Sequence, residues 1–185
     1  MRQDDLSTAE RVAGAETIRD ARSSRDVELA RTLFVEYAQW LKVDLCFQGF
    51  DRELANLPGA YAPPRGRLLL AGGADAAFGC VALRPLDPGS ELGCGVAAAE
   101  VAAEVAAGEV KRLYVKPLRR GQGWGERLAR AIVDEARASG YRELKLDTLD
   151  WMSAARTLYA RLGFRECAPY YENPLAGVVY MSLAL

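Results

Sequence analysis

Apolar and polar positions follow two periods along this chain, and the period switches from segment to segment. Val27, Ala30, Phe34, Tyr37, Ala38 and Leu41 are spaced for one face of a long helix. Ser23-x-x-Asp26 ahead of them has the form of a capping box. Glu16-Thr17-Ile18-Arg19 reads as a short strand, and Asp51 to Leu57 as a second, short helix stopped by Pro58-Gly59. Arg67 to Ala71 and Ala77 to Leu83 are strand-like runs split by Gly72-Gly73-Ala74-Asp75, which predicts a hairpin. Val110 to Val115 reads as a central strand. Trp124, Leu128, Ala131 and Ile132 then form the stripe of a helix ending near Gly140.

Alternation returns at Leu144, Leu146 and Thr148, and again at Val179, Met181, Leu183 and Leu185. Between these two strands, Ala155, Leu158, Tyr159 and Leu162 share a helical face closed by Gly163. Gly93 to Gly108, rich in Ala, Val and Glu, fits an extra helix by composition and a mobile flap by its flanking glycines. Residues 1–14 are polar without a lasting period and are expected to form a loose tail. Strands interleave with helices, so residues 15–185 are expected to form one α/β sandwich around a mixed sheet.

Composition narrows the chemistry by exclusion. The chain has 185 residues, half of them hydrophobic, which suits a single soluble domain with a sizeable core. A net charge of −1 argues against general nucleic-acid affinity. There is no histidine, so every His-based triad, base or metal ligand is excluded and no metal is expected. Cys46, Cys80, Cys94 and Cys167 have neither metal-ligand spacing nor the density of a disulfide scaffold, and read as thiols in a reducing cytoplasm. Cys80 and Cys167 lie in apolar runs and are expected in the core. No membrane-length apolar run or signal peptide is evident, so a cytoplasmic location without a membrane partner is expected.

The stretch Arg120-Gly121-Gln122-Gly123-Trp124-Gly125 lies between the central strand and a helix. Glycines there let backbone N–H groups approach a phosphate at the positive end of the helix dipole. A P-loop fails, because the loop continues Gly125-Glu126-Arg127 rather than Gly-Lys-Ser/Thr. A dinucleotide fingerprint needs Gly at the place of Glu126 and more chain ahead of it, although Asp147 sits where a ribose-binding acid would. A third pattern, Arg/Gln-x-x-Gly-x-Gly/Ala, is met by Arg120, Gly123 and Gly125. The bland alternative is a tight turn that needs its glycines for packing. The local cluster Lys111, Arg112, Lys116, Arg119 and Arg120 suits a multiply phosphorylated cofactor, or else a solvated basic face.

Together with Val115-Lys116-Pro117 and Leu158-Tyr159-x-x-Leu162-Gly163-Phe164, this loop resembles the GNAT N-acetyltransferase superfamily, and within it a bacterial subgroup of small acetyltransferases. The resemblance runs from about Ala15 onward. It implies a mostly antiparallel central sheet with helices on both faces, and acetyl-coenzyme A (acetyl-CoA) as acetyl donor. It also implies direct attack by an amine in a ternary complex. The cofactor-binding residues so implied are Leu113, Tyr114 and Val115 of the strand, Arg120, Gly121, Gln122, Gly123, Trp124, Gly125 and Glu126 of the loop, and Ser153. Ser153 lies in the stretch where the family often has Asn and could stand in for it, but it is read first as a helix cap. Tyr159 is implied as the acid that protonates the departing thiolate, a role open to a phenol at neutral pH. Glu109, at the start of the central strand, is implied as the base, with a water chain as the alternative.

The resemblance implies acceptor loops at Asp44-Leu45-Cys46-Phe47-Gln48-Gly49-Phe50 and at Pro169-Tyr170-Tyr171-Glu172-Asn173-Pro174, which read otherwise as two packed surface loops stiffened by proline. Asp44 or Glu172 would attract an ammonium there, and Tyr170 or Tyr171 would flank it, with Phe47 and Gln48 alongside. The expected acceptor is a small-molecule or peptide amine, and a homodimer is compatible with the sequence. Two other readings compete: an acyl-CoA-binding or sensing module without catalysis, and a nucleotide- or dinucleotide-binding protein. A covalent acyl-cysteine route is disfavoured, because no cysteine has a visible partner base.

Overall fold

The computed structural model of the chain describes residues 16–73, 75–86 and 107–185. The expected tail at 1–14, Cys94 and most of the 93–108 segment lie outside the described residues. The elements run β1 (Thr17–Asp20), α1 (Ser24–Leu41), α2 (Phe50–Ala55), β2 (Arg67–Gly72), β3 (Ala77–Leu86) and β4 (Ala107–Val115). They continue with α3 (Trp124–Ala138), β5 (Glu143–Leu149), α4 (Ser153–Arg161), β6 (Arg165–Glu166) and β7 (Val178–Ala184). The strands form one sheet in the order β1-β2-β3-β4-β5-β7-β6. Every neighbouring pair is antiparallel except β4 and β5, which run parallel.

Local chemistry explains the boundaries. Both halves of the capping box form at α1, the Ser23 hydroxyl accepting from the Asp26 N–H and the Asp26 carboxylate accepting from the Ser23 N–H. α3 buries Trp124, Leu128, Ala129, Ile132, Val133 and Ala136, whereas Ala131, expected in that stripe, is only half-buried. Gly163 has φ +96° just beyond α4, and the turn it permits brings the Phe164 N–H onto the Tyr159 carbonyl at 3.0 Å. The Tyr159 and Phe164 rings then meet edge-on at 5.6 Å, which gives the Leu-Gly-Phe ending of this helix a packing reason.

Two apolar clusters sandwich the sheet. Leu128, Ile132, Val133 and Ala136 of α3 and Tyr159 of α4 cover one face, over Leu69, Val81, Leu83, Val110 and Leu144. On the other, Ala30, Leu33, Phe34 and Leu41 of α1 pack with Phe50 over Leu68, Leu70, Cys80 and Tyr114. The central strand begins earlier than its apolar run suggests, at Ala107. Gly108 lies inside it rather than closing the segment before it: a Cβ there would stand 2.8 Å from Leu83 and 3.0 Å from Leu144.

The middle of the sheet is irregular. Cys80 pairs with Tyr114 and Ala82 with Lys111, so Arg112 and Leu113 together face the single residue Val81. That is a β-bulge, and Arg112 takes the left-handed φ of 59° at it. The parallel β4–β5 ladder covers only Ala107, Gly108 and Glu109 against Glu143, Leu144 and Lys145. Beyond that point the two strands separate into a wedge.

Candidate active site

The wedge between β4 and β5 opens into a cleft. Its walls are Val110, Lys111, Arg112 and Leu113 on one side and Asp147, Thr148 and Leu149 on the other. Ala155 and Tyr159 of α4 and its N-cap Met152 close it on one side, and Tyr37, Leu41, Leu45 and Gln48 from α1 and the turn after it on the other. Leu175 completes the lining. The bulge and the missing ladder therefore place functional side chains where an uninterrupted sheet would have none.

At the rim of the wedge, β4 leads into the glycine turn. Gly121 and Gly123 have φ of +74° and +79°, and a Cβ on either would meet nothing within 4 Å. They are required for the left-handed backbone, and the space in front of them is open. Gly123 is the N-cap of α3 and no side chain caps that end, so its first N–H groups are available to an anion. A phosphate-bearing group fits this cradle.

The basic side chains nearby are committed to other partners. Arg120 donates to the Val115 carbonyl at 2.9 Å and lies over Trp40 at 4.3 Å. Lys116 pairs with Glu36 at 2.8 Å, and Arg119 pairs with Glu16 and covers Phe78. Glu126 is held by Arg130 and Arg161, and Gln122 donates to the Leu118 carbonyl at 3.3 Å. Trp124 is buried edge-on against Phe78 at 4.9 Å, so only its main chain faces the turn. Gly125 is the second residue of α3 and lies beside Leu158. Lys111 and Arg112, expected near phosphate, are instead buried in the cleft walls.

Those two cations anchor a continuous polar network. Lys111 Nζ lies 2.8 Å from Asp147 and 3.0 Å from Glu109. Glu109 also receives Arg84 Nε at 2.6 Å and the Tyr170 hydroxyl at 2.9 Å. Arg112 donates from both Nε and Nη2 to Glu53 and from Nη1 to Gln48 at 3.1 Å. Gln48 and Asn173 both donate to the Tyr171 hydroxyl, at 3.2 and 2.9 Å. Burial alone would raise Asp147 and Glu53, but the cations facing them outweigh it and hold both below the usual carboxylate range. Burial pushes the Tyr159 phenol up, so it carries its proton at neutral pH.

The expected site residues divide accordingly. Tyr159, Leu113 and Gln48 line the cleft, and Tyr171 joins it through Gln48. Tyr114 packs beside Tyr37 and Trp40, and Val115 is buried towards α3. Glu109 departs from expectation: it has no exposed surface and is absent from the cleft lining, because its oxygens are claimed by Arg84, Lys111 and Tyr170. Asp44 is also displaced, being exposed and accepting from the Cys46 N–H to close the turn. Phe47 and Glu172 are exposed. Ser153 is exposed and is the first residue of α4, whose N-cap is Met152 without a side-chain cap, so it does not cap the helix. Cys80 is buried as expected, while Cys167 is only half-buried.

Sequence reasoning missed Tyr37 and Met152 in the lining and assigned Asp147 only to a nucleotide ribose. The sequence carried no signal that sets Asp147 apart: it takes the polar phase of an alternating strand, as Glu143 and Lys145 do.

Residues 31–164 match the model of the Acetyltransferase (GNAT) family. An N-acetyltransferase of the fission yeast Schizosaccharomyces pombe is 38% identical over 162 residues, covering 87% of this chain and 90% of that one. A solved acetyltransferase of Streptococcus agalactiae superposes with a TM-score of 0.68 at 16% identity, covering 93% of this chain and 99% of that one. Another from Salmonella typhimurium, solved with its cofactor acetyl-CoA, gives a TM-score of 0.61 at 19% identity over 92% of this chain and 94% of that one. The narrower bacterial subgroup draws no support from the yeast relative.

Proposed function

The chain belongs to the Acetyltransferase (GNAT) family, and on that premise we propose that it moves the acetyl group of acetyl-CoA to an amine by direct attack in a ternary complex. The observation that carries this reading is the wedge itself. β4 and β5 part at Glu109, Tyr159 lies within the opening, and an uncapped helix N-terminus with an open glycine turn stands at its rim. The Gly121–Gly125 turn and the first N–H groups of α3 would hold the pyrophosphate, and the parted strands would hold the arm that follows it. When bound, acetyl-CoA supplies an activated acetyl thioester.

The chain's own residues then have three tasks. Main-chain groups of Leu113 to Val115 stabilise charge on the carbonyl oxygen, since β4 is unpaired with β5 there. Tyr159 gives its phenolic proton to the departing sulfur, a role its burial favours by keeping it protonated. The apolar walls Leu113, Leu149 and Met152 exclude water from the acyl group. A sensing module without turnover would need no phenol within the wedge, and the placement of Tyr159 speaks for catalysis.

The test is Tyr159→Phe, which keeps the ring and removes the proton. Turnover is expected to fall by about a hundredfold or more, with thermal stabilisation by acetyl-CoA retained. Unchanged turnover would remove Tyr159 as the acid.

A further inference from the structure

The charge around the cleft is cancelled within the protein. Among the described residues, Arg84, Lys111 and Arg112 meet Glu109, Asp147 and Glu53, three cations against three carboxylates. Only one of those carboxylates, Asp147, lines the cleft, and Lys111 already faces it at 2.8 Å. Much of the remaining wall is apolar, with Leu41, Leu45, Leu149, Met152 and Leu175. An ammonium entering here would lose its hydration and meet no uncompensated negative charge, which is costly. A neutral amine loses far less and still has an N–H to offer the carboxylate.

Resting on the acetyl-transfer reading above, we infer that the acceptor is a small primary amine with an apolar body, which enters this cleft uncharged and sets its nitrogen against Asp147. The proton balance closes inside the site. The nitrogen lone pair forms the new C–N bond as the C–S bond breaks. The nitrogen, made acidic by that bond, releases one proton to the Asp147 carboxylate. The sulfur takes the Tyr159 proton, and Asp147 returns its own to the Tyr159 oxygen as products leave. No net proton is gained or lost.

The inference has a pH signature. The groups facing Asp147 are Lys111 and Arg112 from β4, Tyr37 from α1, Tyr159 from α4, and Tyr170 and Tyr171 from the segment before β7. Burial raises Tyr37 to about 12 and pushes the other three phenols up as well, while Asp147 is held low. These tyrosines and Asp147 therefore do not titrate near neutrality, and a slope there belongs to the amine.

Two isomeric probes test it: phenethylamine, strongly basic, and para-ethylaniline, weakly basic, each with acetyl-CoA and the intact chain. If the amine enters uncharged, kcat/KM for phenethylamine rises roughly tenfold per pH unit towards its own pKa, following its neutral fraction. The para-ethylaniline value stays flat over the same range. A flat phenethylamine profile would mean that the protein takes up the ammonium, and would overturn the inference. Acetylation of neither isomer, with acetyl-CoA still stabilising the chain, would overturn it too and leave the family activity standing. No stabilisation by acetyl-CoA would overturn both readings.

Discussion

The rim and the floor of the wedge are built from different materials. At the rim, Gly121 and Gly123 present main chain in the left-handed region, and the nearby arginines are occupied elsewhere. At the floor, six charged side chains from α2, β3, β4 and β5 neutralise one another. A donor common to many enzymes can be held by groups every chain possesses. On the proposed reading, an acceptor that must be told from others would be met by side chains fixed by burial. The rim is therefore sensitive to backbone conformation, and the floor to the loss of any one partner.

The largest blow to that contrast falls on the floor. Glu109→Ala takes away the buried carboxylate that Arg84 and Lys111 share and leaves a void between them, and is expected to cost about 3–5 kcal/mol in denaturant unfolding. A cost below about 1 kcal/mol would mean that the network is solvated and behaves like surface pairs. At the rim, Gly123→Val forces a β-branched residue to φ +79° and puts bulk into the cradle. The stabilisation expected from acetyl-CoA at a hundredfold its dissociation constant, about 2.7 kcal/mol, should vanish. Retained affinity would show that the turn is only packing.

Acid sharpens the contrast more gently. Asp147 and Glu53 are held below their unfolded values, so their stabilisation is fully present above about pH 4–5 and is lost as pH falls through their lower folded values. Melting temperature followed from pH 7 downward should hold and then drop below the ordinary carboxylate range. A loss beginning near pH 6 would contradict the pairing. Least affected should be Glu126→Ala, which removes a half-buried carboxylate held by two exposed arginines and should leave the melting temperature nearly unchanged.

The two regions also differ in how far they can be read from sequence. The glycine turn and Leu158–Phe164 are contiguous, and each residue's reason is local: a left-handed φ, a helix start, a ring turned back under a helix. The alternation of β5 and the 3.6-residue stripe of α1 are legible on the same grounds. The network joins Glu53 of α2 with Arg84, Glu109, Lys111, Arg112 and Asp147 of three strands, which are brought together only by strand pairing and by the packing of α2 on the sheet. Spacing gives Glu109 and Lys111 a common face of β4, but it cannot show that Arg84 arrives across the β3–β4 ladder and withdraws Glu109 from the cleft. The bulge is equally silent, since Arg112 and Leu113 read as two more strand residues. Ser153 follows the same rule, because its neighbour Met152 took the cap position without any polar signal.

The bulge makes the gap between β4 and β5 a matter of chain length. Lys111 and Tyr114 face the same helices although three positions separate them, where a regular strand would need two or four. Shortening β4 by one residue at Arg112 or Leu113 would restore an unbroken register, keep both flanking faces correct, and let the strand run straight on beside its parallel neighbour. The sheet would gain hydrogen bonds and lose its opening. A side-chain exchange along this strand acts on one contact at a time, whereas a single in-frame codon deletion at the bulge would yield a sounder sheet with no place for a substrate.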